Sequence, residues 1–266
     1  MTINITQKEI EKICSYIDDE QIARVKDYVM FLGHAHSGHS LIGALLDAHI
    51  DIAISNELNI PKLILDHNLS KKEILKITIY FSKLENRWEG EINTGYKYKI
   101  QKGHQGLTDF PLILGDKKGG GSTRVIRNNP FLFEKIYEKL NSRLKILHVI
   151  RNPMDNIAAF SYYWGEDLGM QHVERYYENM EVVHNLKNKY PQIFHTVSHS
   201  LLITEPKEQL EKILQFLEVK VSASYIESCV ELIKPIENKR SLNVNWPSEV
   251  LKIIKNKNIQ FNLTDY

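Results

Sequence analysis

Eight residues carry the densest chemistry in the chain: Gly33-His34-Ala35-His36-Ser37-Gly38-His39-Ser40. Before them runs apolar Tyr28-Val29-Met30-Phe31-Leu32, and after them come the apolar pairs Leu41/Leu45 and Ile42/Leu46. Strand, glycine turn, helix is the context a phosphate-cradling loop needs, and Gly, four residues, Gly, one residue, Ser is its spacing. Backbone N–H groups from Ser37 to Leu41 would then face one concavity at a helix N-terminus, where anions are favoured. Gly38 lets the backbone approach closely, and Ser37 and Ser40 add hydroxyl donors. The residue before Ser40 is His39, where a nucleoside triphosphatase has the lysine that serves its terminal phosphates. That argues against ATP or GTP hydrolysis and for a less charged phosphate-type ligand. An ordinary tight turn can carry the same glycines, but the strand, the helix and the terminal serine together favour anion binding.

Three imidazoles, His34, His36 and His39, raise the alternative of a zinc site. A loop that aims N–H groups inward does not readily aim three side chains at one cation, and no further Cys or acid lies at a metal-like spacing. No metal is expected.

These residues need a framework, and the chain is long enough for one. Its 266 residues fit one α/β domain spanning 1–266, with no repeats and no low-complexity linker. Cys14 and Cys229 sit in apolar, helix-like patterns and read as buried thiols in a reducing compartment. The opening residues have no charged stretch followed by an apolar run, so no signal peptide is expected. No window reaches the roughly 18 apolar residues of a membrane span. A cytoplasmic protein with no membrane partner is expected. The 34 basic and 33 acidic residues nearly cancel, whereas a nucleic-acid binder usually shows a basic excess. Any anion site must be local.

Periodicity predicts a polar amphipathic helix over 6–26, a central strand over 28–33 and a helix over 39–48. A short strand follows over 51–54, then helices over 58–67 and 71–86. Residues 88–108 read as a hairpin or loop over the site, and 111–115 as a buried strand. The run Gly119-Gly120-Gly121 reads as a tight loop. A helix over 129–140 precedes the clearest strand, 144–150. Helices are predicted over 153–164 and 168–189, a last strand over 197–203, and helices over 205–217, 222–234 and 247–255. Strands alternating with helices imply a mainly parallel sheet covered on both faces, a three-layer α/β/α class. Ligands bind such sheets at the carboxyl ends of the strands. The loop, Glu57, Lys117 and Arg151 all fall at such ends.

The chain resembles sulfotransferases that use 3′-phosphoadenosine 5′-phosphosulfate (PAPS). Phe31-Leu32-Gly33 through Leu45-Leu46-Asp47-Ala48-His49 is similar to the family's phosphosulfate loop and helix end, and Leu114-Gly115-Asp116-Lys117 to its Gly-Asp-Lys element. Leu147-His148-Val149-Ile150-Arg151-Asn152-Pro153-Met154-Asp155 resembles the strand ending at the 3′-phosphate arginine. Lys212 to Val219 resembles a late helix, and Asn238-Lys239-Arg240 to Trp246-Pro247 a basic C-terminal stretch. Five such matches in order are unlike chance. The family's fold is related to that of the P-loop kinases.

The resemblance implies a donor held by His34, His36, Ser37, Gly38, His39, Ser40 and Leu41, a 3′-phosphate held by Arg151 with Lys239 and Arg240, and release of 3′,5′-adenosine bisphosphate (PAP). The family usually has Arg or Lys at the place of His36 and Thr at that of His39. Histidine is mostly neutral at pH 7 with a free pKa near 6.5. Either the bound anion holds His36 protonated, or Lys117 or Lys118 supplies the charge. The family's serine eight residues after the arginine is Ala159 here, and Ser161 is the candidate substitute. Glu57 is the first choice of general base, since tyrosine-directed members carry a glutamate at the matching offset. It can equally be an acid favoured by a helix N-terminus. His104, in Lys102-Gly103-His104, competes for the role of base. Trp88, Tyr96, Tyr98, Tyr162, Tyr163 and Trp164 are candidates to line an acceptor pocket or to serve as core. The missing secretory signal favours a small-molecule acceptor. A P-loop kinase-like phosphotransferase and a nucleotide-binding protein without turnover are the alternatives.

Overall fold

A computed structural model describes residues 4–84, 98–165, 167–234 and 239–266. Trp88, Tyr96, the 88–97 part of the expected hairpin, Asn238 and the Trp164 side chain lie outside the described residues. The elements are α1 Gln7–Tyr16, α2 Asp19–Ala23, β1 Asp27–Gly33, α3 His39–Asp47, β2 Ile52–Asn56, α4 Ile60–His67, α5 Lys71–Ser82, β3 Ile113–Lys117 and α6 Gly120–Asn128. There follow α7 Leu132–Leu140, β4 Leu144–Ile150, α8 Pro153–Trp164, α9 Met170–Lys189, β5 Phe194–Ser198, α10 His199–Thr204, α11 Pro206–Leu217, α12 Ala223–Leu232 and α13 Ser248–Gln260.

Among the described residues the strands form one sheet in the order β2-β3-β1-β4-β5, and every pairing is parallel. Strand β1 lies at its centre and is buried along both faces, which is why it reads as a near-continuous apolar run. Val29 and Phe31 pack toward α3, α11 and α12 through Ile42, Leu45, Ile213 and Ile226. Tyr28, Met30 and Leu32 pack the other way, toward α1, α5, α6 and α7. This is the three-layer α/β/α arrangement expected. The chain leaves β1 toward β2 on one side and leaves β4 toward β5 on the other. Their carboxyl ends therefore flank a topological switch point, where such sheets open a crevice.

Four expectations need correction. The helix expected over 6–26 is broken at Ile17 and Asp18, because Asp18 starts a second helix with Gln21 in a capping box. The third strand ends at Lys117 rather than Gly115, so Asp116 and Lys117 are buried strand residues. The glycine run opens helix α6 instead of forming a loop. The last strand is Phe194–Ser198, and the apolar residues after it belong to α10, whose start Ser198 caps by accepting from Leu201 N–H.

Candidate active site

The loop after β1 is gripped from three strands. Asn156 Nδ2 donates to Ala35 O and to Ser37 Oγ, each at 3.0 Å. Arg151, just past β4, donates to His36 O at 3.2 Å. Thr123 of α6 accepts from Gly33 N–H at 2.8 Å. Gly38 sits at φ 98° as the N-cap of α3, and a Cβ there would fall 2.5 Å from the ring of His199, at the head of α10. Gly120 lies so close that its Cβ would stand 2.5 Å from Ala35 N. The glycine run thus exists to let the N-terminus of α6 approach the loop. Two helix N-termini converge there, a setting that favours anions.

The three loop histidines diverge. His34 is 5% exposed and stacks on Tyr176 at 3.9 Å, and its Nε2 has no partner among the described residues. Burial pushes its pKa down to about 3. His39 is buried and donates from Nε2 to Leu32 O at 3.2 Å, edge-on to Phe31. Burial brings it to about 4, although its hydrogen bond to Leu32 works the other way. The rings of His34 and His39 are therefore packed into the protein, and what these two residues offer an anion is backbone. His36, at φ 64°, stacks flat on Tyr163 at 4.2 Å. Burial, then Arg240 and Arg151, push its pKa down to about 4. These surroundings favour a neutral His36 ring, and an anion seated at the loop would act in the opposite direction. Among the described residues no group of His, Cys, Asp and Glu could hold a metal ion.

A carboxylate and two lysines form the second part of the site. Glu57 directly follows β2, and its N–H donates to Lys117 O at 2.9 Å. Lys117 Nζ and Lys118 Nζ both donate to its carboxylate. Lys117 is only 2% exposed. Burial raises the pKa of Glu57, but the two lysines outweigh it and hold the carboxyl below its ordinary range. Burial lowers that of Lys117 despite Glu57. Gly119, next to Lys118, packs against the His39 ring, so that a Cβ there would stand 2.6 Å from Nδ1, and this puts the cluster beside the loop.

The third part is Arg151 with Arg240. The Arg240 guanidinium lies 4.3 Å from the ring of Tyr162 and 4.6 Å from that of Tyr163, so a cation, Tyr163 and His36 lie in one pile at the loop. Asp155 of α8 accepts from Ser241 N–H at 2.9 Å and Ser241 Oγ at 2.6 Å, which anchors the turn bearing Arg240. Lys239 beside it is exposed. Ser161 does not take the place of the serine replaced by Ala159. It lies two residues on, about 200° around a helix, and its buried hydroxyl donates to Ala158 O. His104 is exposed and bonded through its N–H to Ala48 O, at the far end of α3. That helix has nine residues, so His104 is about 14 Å from the loop and is not part of the site. Tyr98 also lies away, its carbonyl tied to Gln105.

The loop, the arginine at the end of β4 and the parallel sheet match a known family. Its model, described as "Sulfotransferase family", matches residues 29–223. The chain belongs to the sulfotransferase family. The fold is similar to that of a sulfotransferase from Mycobacterium avium, with TM-score 0.54 and 12% identity over 93% of this chain and 80% of that one. It is also similar to the sulfotransferase domain from the curacin biosynthetic pathway, with TM-score 0.52 and 15% identity over 88% and 98%. No protein of curated function matches. Among the described residues, no helix is long and apolar enough to cross a membrane.

In this sulfotransferase the glycine run gives a direct test. Gly120→Ala places a methyl group against Ala35 N and must push the loop or α6 aside. Such overpacking costs about 1–3 kcal/mol, a fall of roughly 3–10 °C in Tm for a chain of this size. Differential scanning fluorimetry checks it. An unchanged Tm would mean that α6 does not press on the loop.

Proposed function

We propose that this protein moves a sulfuryl group from PAPS to a hydroxyl or amine of a small molecule and releases PAP, acting as one domain in the cytoplasm. The observation that most supports this reading is Arg151 seated against the loop carbonyl of His36. It sets a guanidinium at the β1/β4 crevice, where a 3′-phosphate distinguishes PAPS from ATP, and arginine suits bidentate contact with phosphate.

The N–H groups from Ser37 to Leu41, with the Ser37 and Ser40 hydroxyls, hold the 5′-phosphosulfate. Neutral His36 donates one hydrogen bond. Arg151, Arg240 and Lys239 hold the 3′-phosphate. Lys117 and Lys118 stand beside the loop to neutralise the sulfuryl oxygens. Glu57 takes the acceptor proton as the acceptor oxygen or nitrogen bonds to sulfur. The bond from sulfur to the bridging oxygen breaks, and its electron pair stays on the 5′-phosphate of PAP. As in phosphoryl transfer, positioning and electrostatics dominate.

The test is a thermal shift with PAP against Mg-ATP. A ligand at about 100 times its dissociation constant adds roughly 2.7 kcal/mol, which raises Tm by about 5–10 °C here. The expected result is a shift with PAP alone. A shift with Mg-ATP alone would replace this reading with a kinase-like phosphotransferase, and no shift with either would overturn nucleotide binding at this loop.

A further inference from the structure

The turn between β2 and α4 is strained. Glu57 sits at φ 67° and Asn59 at φ 62°, a left-handed conformation that non-glycine residues adopt only when the surroundings over-determine it. Asn59 is the N-cap of α4 and makes no side-chain cap. The missing cap comes from another strand. Asp116 of β3, 1% exposed, accepts from Leu58 N–H and Ser55 Oγ through Oδ1, at 3.1 and 3.2 Å. Its Oδ2 accepts from Ile60 N–H at 3.1 Å. These donors bracket Glu57 on both sides, and Glu57 N–H is itself bound to the next residue of β3, Lys117. A buried carboxylate is costly, and one satisfied by three donors is a committed structural investment.

We propose that Asp116 is a positioning residue for Glu57: it locks the strained turn so that the Glu57 carboxylate meets Lys117 and Lys118. This rests on the reading of Glu57 as the base. Lys117 and Lys118 come from β3 and its immediate extension, as Asp116 does. One short segment, Asp116-Lys117-Lys118, therefore fixes the main chain around Glu57 and engages its side chain. Asp116 does not touch the reacting atoms. Its removal acts by letting the carboxylate drift from the two ammonium groups.

The test compares wild type, Asp116→Asn, Glu57→Gln and the double variant by acetic anhydride labelling, with Lys117 and Lys118 quantified by mass spectrometry. A buried lysine that loses its carboxylate is more often neutral and more reactive. One unit of pKa is about tenfold in the neutral fraction. Labelling of Lys117 is expected to rise about tenfold in each single variant, and by less than the product of the two rises in the double variant, because both variants loosen the Glu57–Lys117 contact while the Asp116 charge also acts on Lys117 directly. Wild-type labelling of Lys117 in Asp116→Asn, or a rise in the double variant equal to the product of the single rises, overturns the proposal. If Asp116→Asn does not fold, Ser55→Ala strips one donor from the carboxylate. A smaller rise then supports the proposal, and wild-type labelling overturns it. In the same preparations PAPS consumption, with p-nitrophenol as acceptor probe, reports on the base. If Glu57→Gln raises labelling but leaves consumption intact, the base reading fails while Asp116 stands as the anchor of the turn.

Discussion

Glu57→Gln is expected to lower sulfuryl transfer by about 10²–10⁴-fold, the usual contribution of a positioned base, while the affinity for PAP stays within about threefold of wild type. The two halves of this expectation come from different parts of the site. On the proposed reading PAP is held by the loop and by Arg151, apart from the cluster of Glu57 with Lys117 and Lys118. Glutamine keeps the volume and leaves one oxygen to accept from a lysine, so Lys117 stays solvated by a polar partner in its buried place. What glutamine cannot do is take a proton. The lysines have a further consequence. They hold Glu57 below the ordinary carboxylate range, which makes it a weak base. On the proposed reading a sulfuryl group competes for the same ammonium groups, and each one it takes raises the basicity of Glu57. Steady-state kinetics on the PAPS-dependent reaction, with PAP binding measured beside it, separate the outcomes. A fall in kcat at constant PAP affinity fits the base. A rise in KM at constant kcat would reduce Glu57 to a counter-charge for the lysines.

The parts of this site that the sequence revealed are local, and the parts it concealed are contacts across the fold. Strand β1, the Gly33–Ser40 loop and Arg151 are legible because apolar runs and glycine spacing act over neighbouring residues. The directions of the histidine rings are not, since they depend on Tyr176 and Tyr163, more than a hundred residues away. Three consecutive glycines read as a loop because glycine disfavours helices by about 1 kcal/mol per residue. The approach of α6 to Ala35 overrides that preference, and no local pattern reports it. At the strand–helix junction the apolar Leu201, Leu202 and Ile203 read as strand, although the polar Ser198-His199-Ser200 before them opens α10. His199 against Gly38, Asn156 on the loop and Asp116 under the Glu57 turn left no separate signal. His104 shows the limit of short motifs: Lys-x-His spacing does not say at which end of the sheet the histidine lies. Ser161 was different, because helical periodicity alone already puts it on another side from Ala159.

The protein is expected to unfold in mild acid, near pH 5, well before its carboxylates are fully titrated. Burial pushes His34 to about 3, and His39 and His199 to about 4, and puts His148 well below its ordinary value. Each folded-state pKa is below the unfolded value near 6.5. The unfolded chain therefore binds protons that the native one refuses, and stability is lost as pH falls from about 6.5 toward 4. At pH 5 each of His34, His39 and His199 costs about 2 kcal/mol. The three together cost about 6 kcal/mol, which rivals the whole stability of about 5–15 kcal/mol of an ordinary domain, and His148 acts in the same direction. Asp116 works the opposite way: burial raises it to about 6, so the folded state gains a proton first and recovers about 1 kcal/mol by pH 5. That does not offset the histidines. Circular dichroism across pH 8 to 4 checks the midpoint, and a transition below pH 4 would mean the rings are not held neutral. His148 gives the sharper test, because both its ring nitrogens are buried without a partner among the described residues. His148→Leu removes two unsatisfied polar atoms and one titrating group in a similar volume. It is expected to raise Tm at pH 7 and to move the acid midpoint down by roughly a few tenths of a unit or more, since the variant relieves two buried unpaired nitrogens and one proton uptake on unfolding. An acid midpoint unmoved by this variant would exclude His148 from the acid transition, whatever its effect at neutral pH.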